Sequence, residues 1–238
     1  MKKIVVLSVV LLILALGVTG CAPNTAAKNA DNPGKISIVT TIFPVYDFAR
    51  AVAGDQAELT MLVKPAAEVH SYDPSPADII KIQDADVFIY IGGENDAWVS
   101  TILDSMDISD KKIIRLMDAV KPVAEETVEG MEAEEEPVTA ESTPKESEPA
   151  EEEIEYDEHI WTSPKNAILM VDEIAAALAE VDTSNAAVYT NNAAAYTAQI
   201  QTVDDEIAGI VAASPNKLLV FGDRFPFRYL VDEFGLEY

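Results

Sequence analysis

The chain has two histidines, and both lie in short runs that are rich in carboxylates. His70 lies in the run EVHSYDPSP, and His159 lies in the run DEHIWTSP. Imidazole is a common metal ligand at neutral pH, and neighbouring carboxylates can complete a site for a divalent cation. Taken singly, each histidine is more typical of a surface or helix-capping position. The prediction of a metal site therefore depends on whether the fold brings the two together.

Four short segments rich in apolar residues precede the second histidine, and each predicts a β-strand. These strands would position the two runs that carry His70 and His159. They cover residues 35–41, 57–63, 86–91 and 112–116, with helical patterns between them. Such alternation is typical of a parallel sheet with helices on both faces. The loops after strands 2 and 4 then emerge at one edge of the sheet, where ligands bind. The predicted fold class is α/β, with His70 and His159 converging at that edge.

A long helical pattern follows the second histidine. Ser163-Pro164 predicts the start of one helix, and residues 184–213 predict another. The second has an apolar stripe at helical spacing, formed by Tyr196, Ile200, Val203, Ile207 and Ile210. Thirty helical residues span roughly 45 Å, which is long enough to join two lobes. Residues 217–221 predict a further strand, and residues 225–234 predict a helix.

Residues 124–158 differ in composition from the rest of the chain. Sixteen of these 35 residues are Asp or Glu, and few are apolar. A segment of this kind repels itself and has little surface to pack, so it predicts a disordered acidic loop. Two interpretations remain open, a solvated spacer and a weak collector of cations beside a site.

The overall charge and the single cysteine restrict the function classes. The formal net charge of −26 argues against nucleic-acid binding, which depends on Lys and Arg. One Cys excludes a disulfide framework and a Cys-rich zinc fold. The apolar fraction of 49% is that of a folded protein.

The N-terminus explains the single cysteine. Lys2 and Lys3 precede an apolar run, residues 4–18, which is shorter than the ~20 residues usual for a membrane span. The sequence VTGC then ends at Cys21 and resembles the lipobox of bacterial lipoproteins. This predicts an export signal and a lipid anchor on Cys21, with the folded part outside the cytoplasmic membrane. A transmembrane anchor followed by a chance cysteine is the alternative.

Beyond these separate features, the order of motifs resembles the zinc/manganese solute-binding lipoproteins of ABC transporters. The matching runs are KISIVTTIFPVYDFARAVAGD, PAAEVHSYDPSPADI, DVFIYIGGENDAWV and DEHIWTSPKNAILMVDEIAAAL. The resemblance implies two lobes of parallel sheet joined by a long rigid helix, with a metal in the cleft. It implies that His70 and His159 are the first-lobe ligands of Zn²⁺, with Mn²⁺ as the alternative. It also implies a monomer that delivers its metal to an ABC transporter permease.

Two departures from that pattern concern the second lobe. Aligned on Phe227 and Tyr229, the expected ligand position holds Arg224, which cannot coordinate a cation. Asp223 is the nearest oxygen donor, either as a third ligand or only as the cap of the next helix. The sequence also stops soon after this run, so we expect an incomplete second lobe.

These observations predict seven segments and one leading function. The segments are a signal peptide (1–20), a tether after Cys21 (21–34), an N-terminal α/β lobe (35–123 and 159–183), the acidic loop (124–158), a linking helix (184–213) and the start of a C-terminal α/β lobe (214–238).

The leading function is non-enzymatic metal capture outside the membrane. The alternatives are a surface adhesion or structural lipoprotein with a cation-collecting loop, and a metallohydrolase using Glu68 or Glu158 as base. The absence of an H-E-x-x-H motif disfavours the hydrolase.

Overall fold

The computed structural model describes residues 34–65, 67, 69, 72–125, 155–222 and 225–238. Cys21 with the predicted signal peptide and most of the tether, His70, Asp223 with Arg224, and residues 126–154 of the acidic segment lie outside these residues.

The described residues form ten regular elements. In chain order these are β1 (Ile36–Thr40), α1 (Phe43–Ala53), β2 (Ala57–Met61), α2 (Pro76–Asp84), β3 (Val87–Tyr90), α3 (Ala97–Asp104), β4 (Lys112–Arg115), α4 (Pro164–Val181), α5 (Ala186–Ala213) and α6 (Arg228–Phe234). Single 3₁₀ turns occur at Gly54–Gln56, Glu94–Asp96, Leu116–Ala119 and Ile160–Thr162.

The strands form one parallel sheet in the order β2–β1–β3–β4. The central strand β1 pairs on both sides, so that Ile38 lies opposite Leu59 of β2 and Val87 of β3. The strand order changes direction between β1 and β3, and parallel sheets bind ligands outside the carboxyl ends of their strands at such a point. The predicted α/β class is confirmed.

Helices cover both faces of the sheet because the strands are apolar on both faces. Ile38 and Ile89 face one layer, where they are buried with residues of α1, α4 and α5. Val39 and Phe88 face the opposite layer, which contains buried residues of α2 and α3. Successive strand residues point to opposite faces, so each short strand contributes to both cores.

Helix α2 shows how the sequence fixes a helix start beside the sheet edge. The Ser75 side chain accepts the Asp78 N–H, and the Asp78 carboxylate accepts the Ser75 N–H in return. This is a capping box, with Pro76 at the first helical position. These contacts fix the residue at which α2 begins.

The long helix α5 packs along only part of its length. Tyr189 and Ala193 are buried, and Tyr196 and Ile200 also pack against the core. The Tyr196 hydroxyl donates to Asp47 on α1 at 2.8 Å. Farther along the same stripe, Val203 is 50% exposed and Ile210 is 70% exposed. The periodicity therefore predicted the helix correctly, but only the first half of the stripe is packed.

The strand predicted at residues 217–221 is not formed. The segment makes an isolated parallel bridge between Leu218 and Glu237, and Val220 is 87% exposed. An apolar run needs a neighbouring strand to become a ladder, and in the described chain only the stretch around Glu237 pairs with this one. None of the described helices is both long and apolar enough to cross a membrane.

Candidate metal centre

A cavity of about 200 Å³ lies at the carboxyl edge of the sheet, and His159 lines it. Its wall is built from the ends of three strands and from the segment before α4, and includes Phe43 after β1, Val63 and Val69 after β2, Asn95 after β3, and Trp161 beside His159. This is the edge where the sequence predicted that the two histidines converge.

The Asp157 side chain holds the imidazole of His159. Asp157 Oδ1 accepts the His159 backbone N–H at 2.8 Å, and the ring Nδ1 lies 3.3 Å from the same oxygen. The ring also packs against Trp161, with the ring centroids 5.3 Å apart. The His159 side chain is 25% exposed, so the ring is held by the protein and is still accessible.

Charge and burial act in opposite directions on this ring. Burial lowers the pKa of His159. The hydrogen bond to Asp157 and the charges of Asp157 and Glu158 raise it by more than burial lowers it, so the pKa lies above the usual 6.5. Because a metal ligand must be deprotonated, protons compete for this ring up to a higher pH than for an ordinary histidine.

A second cavity, of about 260 Å³, lies on the other side of His159 and has an acidic wall. Its carboxylates come from Glu94, Glu125, Glu155, Asp157 and Glu158, and Arg115 is the basic residue among them. Glu125 and Glu155 are the described ends of the acidic segment, and the Glu125 N–H donates to the Glu155 carbonyl at 2.9 Å. The acidic segment therefore begins and ends beside His159.

Glu158 lies between the two cavities. Its Oε2 accepts the Asn95 N–H at 3.0 Å, which joins the acidic wall to the apolar one. Burial raises the pKa of Glu158 to about 7, against the opposing effect of that hydrogen bond. The backbone of Gly93 has φ +96°, and a Cβ there would lie 2.9 Å from the Glu158 Cβ. Glycine at this position leaves room for the Glu158 side chain.

The structure describes one of the three predicted metal ligands, His159. His70 and Asp223 lie outside the described residues. Val69, which is bonded directly to His70, lines the same cavity as His159. Within the described part of the chain, no group of three or more His, Cys, Asp or Glu side chains is arranged to hold a metal ion.

Two residues that support this site were not identified from the sequence as functional. The Tyr229 hydroxyl donates to the Asp157 carbonyl at 2.6 Å and accepts the Val123 N–H at 3.1 Å. The Glu233 carboxylate accepts the Ser163 hydroxyl and pairs with Lys165 at 3.4 Å. Helix α6 thus contacts both ends of the segment that carries His159. A seven-residue helix gives no periodicity from which these contacts could be predicted.

The fold and this site can be compared with known proteins. Residues 38–238 match the family described as ZnuA, zinc-uptake complex component A periplasmic. The chain belongs to this family. The resemblance predicted from the order of motifs is therefore confirmed.

Two curated relatives illustrate the relationship to other ZnuA-family proteins. The zinc-binding lipoprotein AdcA of Streptococcus pneumoniae (strain ATCC BAA-255 / R6) is 34% identical, over 100% of this chain and 43% of its own length. The high-affinity zinc uptake system protein ZnuA of Bacillus subtilis (strain 168) is 29% identical, over 92% of this chain and 65% of its own length. The chain thus spans less than half the length of AdcA.

A solved structure agrees with the family assignment. The Zn(II)-bound ZnuA-like domain of Streptococcus pneumoniae AdcA superposes with a TM-score of 0.69 at 30% identity. The match covers 86% of this chain and 66% of that domain. The chain therefore shares the fold of that domain over the matched part.

Proposed function

We propose that this ZnuA-family chain captures Zn²⁺ outside the cytoplasmic membrane and delivers it to an ABC transporter permease. The observation that supports this most strongly is His159, which is held by a buried carboxylate and lines a cavity at the carboxyl edge of the sheet. A histidine whose second nitrogen is hydrogen-bonded to a carboxylate is the usual arrangement of zinc ligands in proteins.

His70 is the proposed second ligand. Val69 lines the same cavity as His159, and consecutive Cα atoms are 3.8 Å apart, so the next residue is within reach of that cavity. Asp223 is the proposed third ligand, with water as the alternative. Two imidazoles and a carboxylate favour zinc, whereas manganese prefers sites rich in oxygen ligands. Mn²⁺ is therefore the alternative metal.

The remaining parts of the proposal concern location and partners. We propose that Cys21 carries the lipid anchor and that residues 21–34 form the tether. The protein would then work at the outer face of the membrane as a monomer beside its permease, without enzymatic turnover. The curated relatives whose names include lipoprotein and zinc uptake support this arrangement.

Calorimetry with zinc tests the proposal on the soluble protein without its signal peptide. The wild-type chain should bind one Zn²⁺ tightly, and His70→Ala and His159→Ala should each lose most of that affinity. The double variant should lose little more, because the two histidines serve one ion. Asp172→Ala on α4 is the control, since Asp172 is an exposed carboxylate.

Unchanged zinc affinity in either single histidine variant would contradict the shared site. Asp223→Ala should have a smaller effect if water replaces the carboxylate. Melting temperatures of all variants show whether a loss of affinity reflects unfolding. Turnover of an ester, peptide or phosphate by the zinc-loaded protein would favour the hydrolase instead.

A further inference from the structure

Asp157 is buried beside His159, and its carboxylate forms hydrogen bonds with that residue. Asp157 is 8% exposed, and its Oδ1 contacts both the His159 backbone N–H and the ring Nδ1. The sequence predicted that carboxylates next to the histidines would complete the metal shell. The structure instead gives this carboxylate the imidazole as its partner.

The contact determines which nitrogen of the ring carries the proton. A carboxylate only accepts hydrogen bonds, so the contact to Nδ1 requires the proton to be on Nδ1. In that tautomer the lone pair is on Nε2, which becomes the atom that can coordinate a cation. Backbone and ring bind the same oxygen, so the carboxylate also fixes the orientation of the ring relative to the chain.

The backbone of Asp157 is itself held by two distant segments. The Asp157 N–H donates to the Val123 carbonyl at 3.0 Å, and the Tyr229 hydroxyl donates to the Asp157 carbonyl at 2.6 Å. The Tyr229 hydroxyl also accepts the Val123 N–H, so the three residues form one closed network. The backbone that carries the carboxylate is therefore held by the antiparallel bridge between Ala124 and Tyr156 and by Tyr229 on α6.

We propose that Asp157 is a positioning residue that holds His159 in its Nδ1–H tautomer, so that Nε2 is presented to the metal. This inference rests on the proposed zinc function, in which His159 is a ligand. It assigns to Asp157 a role that acts through His159 and requires no contact with the ion. Loss of such an outer-shell partner typically costs ~10–100-fold in metal affinity.

A purely structural role for Asp157 has to be distinguished from this one. The bond from Oδ1 to the N–H two residues later is an Asx-turn, which stabilises the chain locally whatever the ring does. Ser can form the equivalent turn, but its hydroxyl is shorter than the carboxylate that reaches Nδ1. Asn keeps an oxygen at the same distance for both contacts and removes only the charge.

The experiment measures the tautomer of His159 directly, in the metal-free protein. Histidine labelled with ¹⁵N gives only two imidazole patterns, because the chain has two histidines, and His70→Ala assigns them. At a pH well above the usual His value of about 6.5, wild type and Asp157→Asn should show Nδ1–H at His159. Asp157→Ser should shift His159 towards Nε2–H, and Asp172→Ser should leave it unchanged.

Zinc calorimetry on the same proteins completes the test. We expect Asp157→Ser to bind zinc ~10–100-fold more weakly and Asp157→Asn to lose clearly less. An unchanged tautomer together with unchanged affinity in Asp157→Ser overturns the positioning role. If Asp157→Ser does not fold, Nε2–H at His159 in Asp157→Asn overturns it. A wild-type chain with the expected tautomer but no zinc binding overturns the proposed function alone, since the tautomer is measured without metal.

Discussion

The two cavities beside His159 differ in the chemistry of their walls. The smaller one has mainly apolar side chains from the ends of β1 and β2, whereas the larger one has five carboxylates. Asp157, which binds the ring Nδ1, lines only the acidic cavity. The acidic side therefore holds the ring, and the apolar side is where we expect the metal to be bound. The difference shows that a carboxylate two residues from His159 holds the imidazole ring, and we propose that this carboxylate is not itself a metal ligand.

Gly93→Ala should disturb the boundary between the two cavities most strongly. The added Cβ would meet the Glu158 side chain at 2.9 Å, and the backbone φ of +96° is unfavourable for Ala. We expect a loss of ~1–3 kcal/mol in the free energy of unfolding and weaker zinc binding, since Glu158 and His159 are adjacent. Urea denaturation and zinc calorimetry measure both effects.

Gly209→Ala is the matched control for that variant. Gly209 lies within α5, and a Cβ there would meet no heavy atom within 4 Å. Ala should stabilise the chain by ~0.5–1 kcal/mol, because glycine is unfavourable inside helices. Equal effects of the two substitutions would contradict a steric boundary at Gly93.

Asp96 anchors the turn that leads from β3 to Asn95 in the apolar wall. Its Oδ2 accepts the N–H groups of Ile91 and Gly92 at 2.9 and 3.0 Å. Asp96→Ala should cost roughly 1–3 kcal/mol in unfolding free energy, because both buried donors lose their acceptor. Asp96→Asn keeps an oxygen acceptor and should cost less. A negligible effect of Asp96→Ala in denaturant titrations would show that the turn does not need this anchor.

The same residue predicts a pH dependence of stability. Burial raises the pKa of Asp96 from 3.8 to about 6, against the hydrogen bonds from Gly92 and Ile91. The folded state therefore holds this proton more tightly than the unfolded state does. Proton binding to Asp96 stabilises the fold fully below pH 3.8, and this stabilisation is lost as the pH rises to about 6. In Asp96→Asn this loss should be absent. An identical pH profile for both proteins would contradict the raised pKa.

Neutralising the acidic cavity away from His159 should have a smaller effect. Glu94 and Glu155 line that cavity and are exposed. Glu94→Gln and Glu155→Gln should change zinc affinity by no more than a few-fold, and less at high salt, because exposed charges are screened over ~10 Å. A large, salt-independent loss of affinity would place a zinc ligand on the acidic side.

Replacing residues 126–154 with Asn-Gly should have the smallest effect on the tight site. Glu125 and Glu155 already form a hydrogen-bonded pair, next to the antiparallel bridge between Ala124 and Tyr156. A two-residue type I′ turn closes such a pair. We expect the melting temperature and tight zinc binding to be kept, and only weak, salt-sensitive cation association to be lost. A large fall in melting temperature would show that the segment is structural.

The sequence predicted the sheet and its edge well because these depend on local patterns. The apolar run around Phe88 and the Ser75 capping box determine their elements from neighbouring residues alone. The strand predicted at residues 217–221 was wrong, because a strand depends on a partner that no local pattern specifies. The stripe that includes Ile210 predicted the helix correctly, but periodicity identifies a helix face and not what covers it, so the 70% exposure of Ile210 could not be predicted.

The site was predictable in part. The position of His159 at the carboxyl edge was predicted from its place after a strand, and it lines a cavity there. Its role as a metal ligand stays a prediction. Its contact with Asp157 was not predicted. Two residues that are two positions apart can either bind the same metal ion or form a hydrogen bond with each other, and the sequence does not distinguish these cases. Tyr229 was also missed as a supporting residue. Its contact with Asp157 joins residues that are 72 positions apart in the chain.

Zinc K-edge X-ray absorption on the protein loaded with one equivalent of zinc tests the central claim most directly. If His70 and His159 bind the same ion, the spectrum should show two imidazole nitrogens at ~2.0–2.1 Å, with oxygen atoms completing the shell. His159→Ala should reduce the imidazole scattering to one ring or abolish tight loading. A wild-type zinc shell made only of oxygen atoms would contradict the shared histidine site and assign the ion to the carboxylates.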